Sequence, residues 1–167
     1  MITRGVARPL ACILYCLLSC AAPATANAAT LKQAYVDGKH DVRIVTARGR
    51  HVRLTRKGNV ESVKVAPDNE TVAWLVKNGW TEGSDTMPGP ERLFIYRNGK
   101  TRTIECEQFI RGYWFWAHGR QVAIDCGGLH FAGTEILYDA RTGKVIDHFY
   151  QGDVSMEQRP PWADGDN

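Results

Sequence analysis

The sequence predicts an all-β fold of antiparallel hairpin repeats, and three observations predict it. Residues 60–76 are echoed 50 positions later by residues 110–126 without a gap, so that Val60/Ile110, Val65/Phe115, Val72/Val122 and Ala73/Ala123 keep their apolar character. Short apolar runs rich in Val, Ile, Phe, Tyr, Trp and Thr recur between turn residues, as strands do. No stretch after residue 30 sustains a helical period, apart from a weak one over Leu31-Lys-Gln-Ala-Tyr-Val36. A period of this size marks solenoids, propellers or arrays, in which each unit buries its apolar faces on its neighbours.

About ten strands follow in order: 42–47, 50–55, 60–66, 71–77, 92–97, 101–106, 110–117, 121–126, 134–139 and 144–150. The first two flank Arg48-Gly49, where glycine supplies a positive φ without a Cβ clash. Glu61-Ser-Val-Lys-Val65 alternates with period two and ends at Pro67-Asp68-Asn69, residues that favour turns. Asn98-Gly99 and Thr142-Gly143 are hairpin signals between later runs, and His118-Gly119 is a further turn. The echo extends upstream, since Val42-Arg-Ile-Val-Thr-Ala-Arg-Gly49 matches Arg92-Leu-Phe-Ile-Tyr-Arg-Asn-Gly99. A third copy starts at Glu135-Ile-Leu-Tyr-Asp139.

Val65-Ala-Pro67-Asp68-Asn-Glu-Thr-Val-Ala-Trp74, followed by Leu93-Phe-Ile-Tyr96-Arg-Asn-Gly99, resembles the repeat of TolB-type and WD-like β-propellers over residues 42–150. Asn69 stands where that family has glycine, and the second copy carries Ala117-His118 in place of Pro-Asp. The resemblance implies that four strands form one blade, so the chain holds a half blade, a full blade and one more. Closed propellers carry four to eight blades. The expectation is therefore a partial β-propeller-like or stacked-sheet array with sheet edges open to strand addition.

Residues 1–28 read as a secretion signal: Arg4 and Arg8 precede the apolar core Leu10–Leu18, and Ala24-Thr-Ala26 and Ala26-Asn-Ala28 offer cleavage sites. The core is shorter than the roughly 20 residues of a spanning helix. Leu17-Leu-Ser-Cys20 also fits a lipobox, which makes Cys20 a candidate lipidation site and a lipid anchor the one expected membrane contact. Cleavage after Ala26 or Ala28 leaves Cys106 and Cys126, and an oxidising compartment makes a disulfide their default state. Residues 30–150 form the expected β-repeat domain, and residues 151–167, with Pro160-Pro161-Trp162 and four acids, read as a disordered acidic tail.

Without the two signal arginines, 19 basic residues face 18 acidic ones, and this balance gives no case for nucleic acid. The distribution is uneven. Residues 32–64 hold nine basic and three acidic residues, and residues 65–167 hold ten and fifteen. The basic strand with Arg48, Arg50 and Arg53 is a solvated face, or an end that meets the acidic end of another copy or an anionic surface.

Tyr113-Trp114-Phe115-Trp116 places aromatics on both faces of one strand, as expected for a strand covered on both sides. Its functional reading is a platform formed by Trp114 and Trp116. Trp80 lies in the long polar loop 77–91, a length often used for recognition. Gly127-Gly128 lacks the Lys-Ser/Thr of a phosphate loop, and no nucleophile elbow is present. His130 with Glu135 and Asp139 shows no recognised metal spacing, so neither a metal nor another cofactor is expected.

Three function classes follow. The favoured one is an exported, non-catalytic binding or scaffolding protein that recognises a protein or envelope partner, with a homo-oligomer open. The second is a small secreted hydrolase using His130 with Asp125 or Glu135. The third is an inhibitor or immunity-type protein with the 77–91 loop as its wedge.

Overall fold

The computed structural model describes residues 30–76, 92–128 and 130–165. Residues 1–28, read as a signal and containing Cys20, and residues 77–91, with Trp80, lie outside the described residues. Eleven strands are described: β1 Leu31–Val36, β2 Val42–Thr46, β3 His51–Arg53, β4 Val60–Val65, β5 Thr71–Val76, β6 Arg92–Arg97, β7 Lys100–Glu105, β8 Ile110–Trp116, β9 Gln121–Cys126, β10 Thr134–Asp139 and β11 Val145–Tyr150. They make three antiparallel sheets, β1-β2-β3 (sheet A), β4-β5-β6-β7 (sheet B) and β8-β9-β10-β11 (sheet C).

Two expectations change at the start. Leu31–Val36 is a strand, because it folds back on β2 through the Asp37–Asp41 turn and pairs Val36 with Val42 and Ala34 with Ile44. A six-residue segment has too few hydrogen bonds to hold a helix alone, so pairing decides its state. The strand expected over 50–55 shortens to His51–Arg53, since the Thr55 hydroxyl accepts the Val42 N–H (2.9 Å) and turns the chain away.

The repeat persists in detail. The β4–β5 ladder shifts register between Val60 and Ser62, and the β8–β9 ladder shifts between Ile110 and Gly112, 50 positions on. The turns differ in chemistry. The Asp68 carboxylate accepts the N–H of Glu70 (2.8 Å) and of Thr71 (2.9 Å), and it also meets Arg97. Its counterpart has no such carboxylate and turns on Ala117, His118 and Gly119, with φ of 50, 57 and 84°. Gly119 lies against Ala66 and Asp68, with no room for a Cβ, so the two turns pack together.

Sheet B is the middle layer. Ala73, Leu75, Leu93 and Ile95 bury one face against Ile110, Tyr113, Phe115, Val122 and Ile124 of sheet C. The other face, with Val72, Trp74, Val76 and Phe94, packs on Leu31, Val42 and Ile44 of sheet A. All six residues of β5 are therefore buried. The Tyr113 hydroxyl crosses the B–C interface to the Ala73 carbonyl (2.8 Å), and burial raises its pKa above the usual tyrosine value.

The two interfaces are built differently. Val72 and its echo Val122 both face the preceding sheet, so B and C stack as successive units. Ile44 is the echo of Phe94, yet the two pack in the same cluster. Sheets A and B thus meet through equivalent faces, as in a sandwich. Sheet A turns the opposite face, with Gln33, Arg43 and Arg53, to solvent.

Cys106, just after β7, and Cys126 in β9 are joined by a disulfide with a Cα–Cα distance of 5.8 Å, tying sheet B to sheet C. Closing this loop stabilises the fold by roughly 3 kcal/mol in the chain-entropy description. The paired substitution Cys106→Ser and Cys126→Ser is expected to lower unfolding free energy by about that amount. Dithiothreitol should shift the denaturant midpoint of the parent chain and leave that of the paired variant unmoved.

Candidate binding surfaces

The outer face of sheet C is covered by the chain itself. Residues 156–158 and 161–164 form short 3-10 turns, and Trp162 is 6% exposed. Its ring packs with Ala123 and Leu137 and with the half-buried Trp114, Trp116 and Phe149. The Trp114 Nε1–H donates to the Trp162 carbonyl (2.6 Å), and the Trp162 Nε1–H donates to Asp147 Oδ2 (2.9 Å). The segment expected as a disordered acidic tail is thus a strap, because one aromatic ring and two indole hydrogen bonds give it a seat. Trp114 and Trp116, read from the sequence as a platform, lie half-buried under the strap.

A polar network fastens the start of the strap. Arg111, the residue at the β8 register shift, donates through Nη2 to Asp125 Oδ1 and Gln151 Oε1 (2.6 Å each) and through Nη1 to the Phe131 carbonyl (3.0 Å). Gln151 in turn donates to Glu135 Oε1 (2.9 Å), and Arg159 lies 3.6 Å from the same oxygen and over the Phe149 ring. Asp125 and Glu135 are register partners across β9 and β10. They are therefore close, as a hydrolase site would need, but Glu135 is 3% exposed and both carboxylates hold the strap and the loop before β10. His130 is exposed in that loop. Among the described residues no cluster of His, Cys, Asp or Glu has the geometry to hold a metal ion.

Sheet A carries the charge asymmetry. Arg43 pairs with Asp37 (2.8 Å), and Arg53 pairs with Asp41, a carboxylate only 1% exposed that also accepts from Thr55 Oγ1 (3.0 Å) and the Gly58 N–H (3.2 Å). Arg53 is therefore a structural partner before it is a contact for anything else. Arg48 and Arg50 are exposed in the β2–β3 turn with no ion-pair partner among the described residues.

The surface that sequence reasoning missed is the β11 edge. Among the described residues the exposed large apolar ones are Phe131, Val145, Ile146, Tyr150 and Met156, and three of these five belong to β11. Phe131 precedes β10, whose Thr134 is paired with Tyr150, and Met156 follows in the strap. The other strands that end their sheets on that side carry bases, Lys100 and Arg102 in β7 and Arg53 in β3, the usual protection of an edge. Val145-Ile-Asp-His-Phe-Tyr150 has neither Lys nor Arg. That contrast was present in the sequence, but nothing there showed that this strand lies at an edge.

No protein-family model matches this chain, and no curated protein matches it. Among solved structures the chain is similar to the β-propeller domain of the Trilobed protease from Pyrococcus furiosus, described as having an open velcro topology, at 15% identity and a TM-score of 0.47. The match covers 71% of this chain and 37% of that one, so the chain spans well under half of the length it is compared with. The all-β assignment rests on the three antiparallel sheets themselves.

Two outcomes follow. Trp162→Ala is expected to undock the strap and wet the Trp114 indole, shifting tryptophan emission to longer wavelength, and to cost roughly 3 kcal/mol. The second concerns acid. The Arg43 guanidinium and the Asp41 N–H hold Asp37 down to about 2. Burial opposes ionisation of Asp41, yet hydrogen bonds from Arg53, Gly58 and Thr55 outweigh it and lower its pKa as well. A carboxyl whose pKa is depressed on folding stabilises above its unfolded value and loses that contribution as pH falls toward the folded one. The melting temperature should therefore hold above about pH 4 and drop between about pH 4 and 2, with a shallower drop in Asp37→Asn.

Proposed function

We propose that this chain is an exported, non-catalytic binding protein that recognises a protein partner along the β11 edge of its last sheet. One observation carries the reading: a six-residue edge strand without Lys or Arg exposes Val145, Ile146 and Tyr150, beside Phe131 and Met156. Outward N–H and C=O groups of an edge strand supply affinity to an added strand, and the exposed side chains supply selectivity. Here the His148 N–H already meets Asp147 Oδ1 (2.8 Å) and the Tyr150 carbonyl accepts the Asp153 N–H (3.1 Å), so an added strand exchanges these local bonds for its own. The signal-like N-terminal sequence and the Cys106–Cys126 disulfide support an oxidising compartment. Among the described residues no helix is long and apolar enough to cross a membrane.

The strap gives the edge its context. It covers the aromatic face of sheet C and leaves the edge beside that face uncovered, so a partner meets a finished sheet. Tyr150 is 46% exposed, and altering it should not disturb the core.

The test places a photo-crosslinking phenylalanine analogue at Tyr150 or, as a control on the charged edge, at Lys100, in cells that make the protein. A discrete adduct at 150 that is absent at 100, and that is lost when Ile146→Lys is added, is the expected result. Equal adducts at both positions, or none at 150, would refute the reading.

A further inference from the structure

Sheet A and the turns around it form a cationic end on the stack. Residues 30–59 contain eight basic residues against Asp37 and Asp41. Each acid is taken by one arginine, Asp37 by Arg43 and Asp41 by Arg53. Lys32, Lys39, Arg48, Arg50, Arg56 and Lys57 are left exposed, and none has an ion-pair partner among the described residues. They are not spread at random. Lys32 lies at the register shift of β1, Arg48 and Arg50 in the β2–β3 turn, Lys39 in the β1–β2 turn, and Arg56 and Lys57 in the loop to β4.

The loop and the β1–β2 turn are held together. Gly58, with a φ of 66°, sits so close to the Lys39 carbonyl that a Cβ there would collide with it, and the Val60 N–H donates to the His40 carbonyl (3.1 Å). Lys39, Arg56 and Lys57 are therefore neighbours through packed backbone. Between the basic turns the outward face of the sheet offers Gln33, Tyr35, Arg43 and His51 around Val45, which is 9% exposed. In sheet B the equivalent face holds Leu93 and Ile95 and receives the next sheet. On sheet A that face keeps Val45 alone, between Gln33 and His51, and has Arg43 where sheet B has Leu93, so it offers no broad apolar area to a further packed β-sheet.

We propose that sheet A is an electrostatic docking surface for an anionic phospholipid bilayer. Six uncompensated bases at one end of a chain of nearly balanced charge make a dipolar molecule, which an anionic surface orients with this end inward. The density of phosphate headgroups matches charges carried on several separated turns better than a single anionic ligand does. Each Lys or Arg near such a surface contributes roughly fivefold to partitioning, and the attraction decays within a Debye length. The acidic strap is at the far end of the stack, beyond sheets B and C. The surface is separate from the β11 edge, so membrane and protein contacts are compatible.

The test is cosedimentation of the full processed chain with vesicles of phosphatidylcholine alone and of phosphatidylcholine mixed with phosphatidylglycerol. Binding to the mixed vesicles only, and release by molar salt, is expected. The variant Arg48→Glu/Arg50→Glu/Arg56→Glu/Lys57→Glu should lose at least about a hundredfold in partitioning. A charge-matched control, Lys100→Glu/Arg120→Glu/Arg141→Glu/Lys144→Glu, should retain most of it, with both variants checked for an unchanged melting profile. Equal binding to neutral vesicles, or equal loss in both variants, overturns the proposal. So does a parent chain that ignores vesicles but self-associates through the same bases, or that binds single-stranded RNA more tightly than the mixed vesicles. The crosslink at Tyr150 is read in the same variants, so failure here leaves the β11 reading standing or falling by itself.

Discussion

The burial of β5 on both faces is the constraint from which the rest of the molecule follows. Val72, Trp74 and Val76 need sheet A on one side, and Ala73 and Leu75 need sheet C on the other. A single sheet of this composition would expose one apolar face whichever way it turned. Three layers satisfy it, but a stack of three has two end faces, and each needs its own solution. On sheet A the solution is in the residues, since Gln33, Tyr35, Arg43 and His51 surround the single apolar Val45 on the outward side. On sheet C the outward face keeps Trp114, Trp116, Leu137 and Phe149, and the strap with Trp162 supplies the missing layer. Repeat arrays in general need such atypical terminal units.

The same repeat therefore packs in two ways. Sheets B and C keep the relation of successive repeat units, with Val72 and Val122 each packed on the preceding sheet. Sheet A is turned over, and its Ile44 meets Phe94, the residue it echoes. A ring needs one interface repeated with one rotation; a chain that reverses its first sheet has ended the series at that point. The basic end, which looks from composition like a solvated strand, is then a chemically distinct terminal surface with Asp37 and Asp41 held ionised at its base.

Much of this was legible from residue patterns. The strands after Val60, the positive φ at Asn98 and Gly99, the Asp68 turn and the Cys106–Cys126 pair each follow from local chemistry. Local rules failed at both ends. Leu31–Val36 has too short a pattern to separate strand from helix, and only its partner strand β2 decides it. The strap looks like a solvated acidic tail, because its one strong contact, Trp162 in a seat of four elements, is invisible until those elements are side by side. For the same reason Trp114 and Trp116 suggested an open platform.

What the sequence by itself determined was the repeat, the strand alternation, the turns and the asymmetry of charge, all set by interactions between residues close in the chain. What only the tertiary structure decided was which face of sheet A meets sheet B, which edge is left bare and where Trp162 rests. Alternation states that a strand has two faces and leaves their partners open. The choice is made by burying the largest apolar area that the three sheets and the strap can share, and that quantity exists only once they are packed.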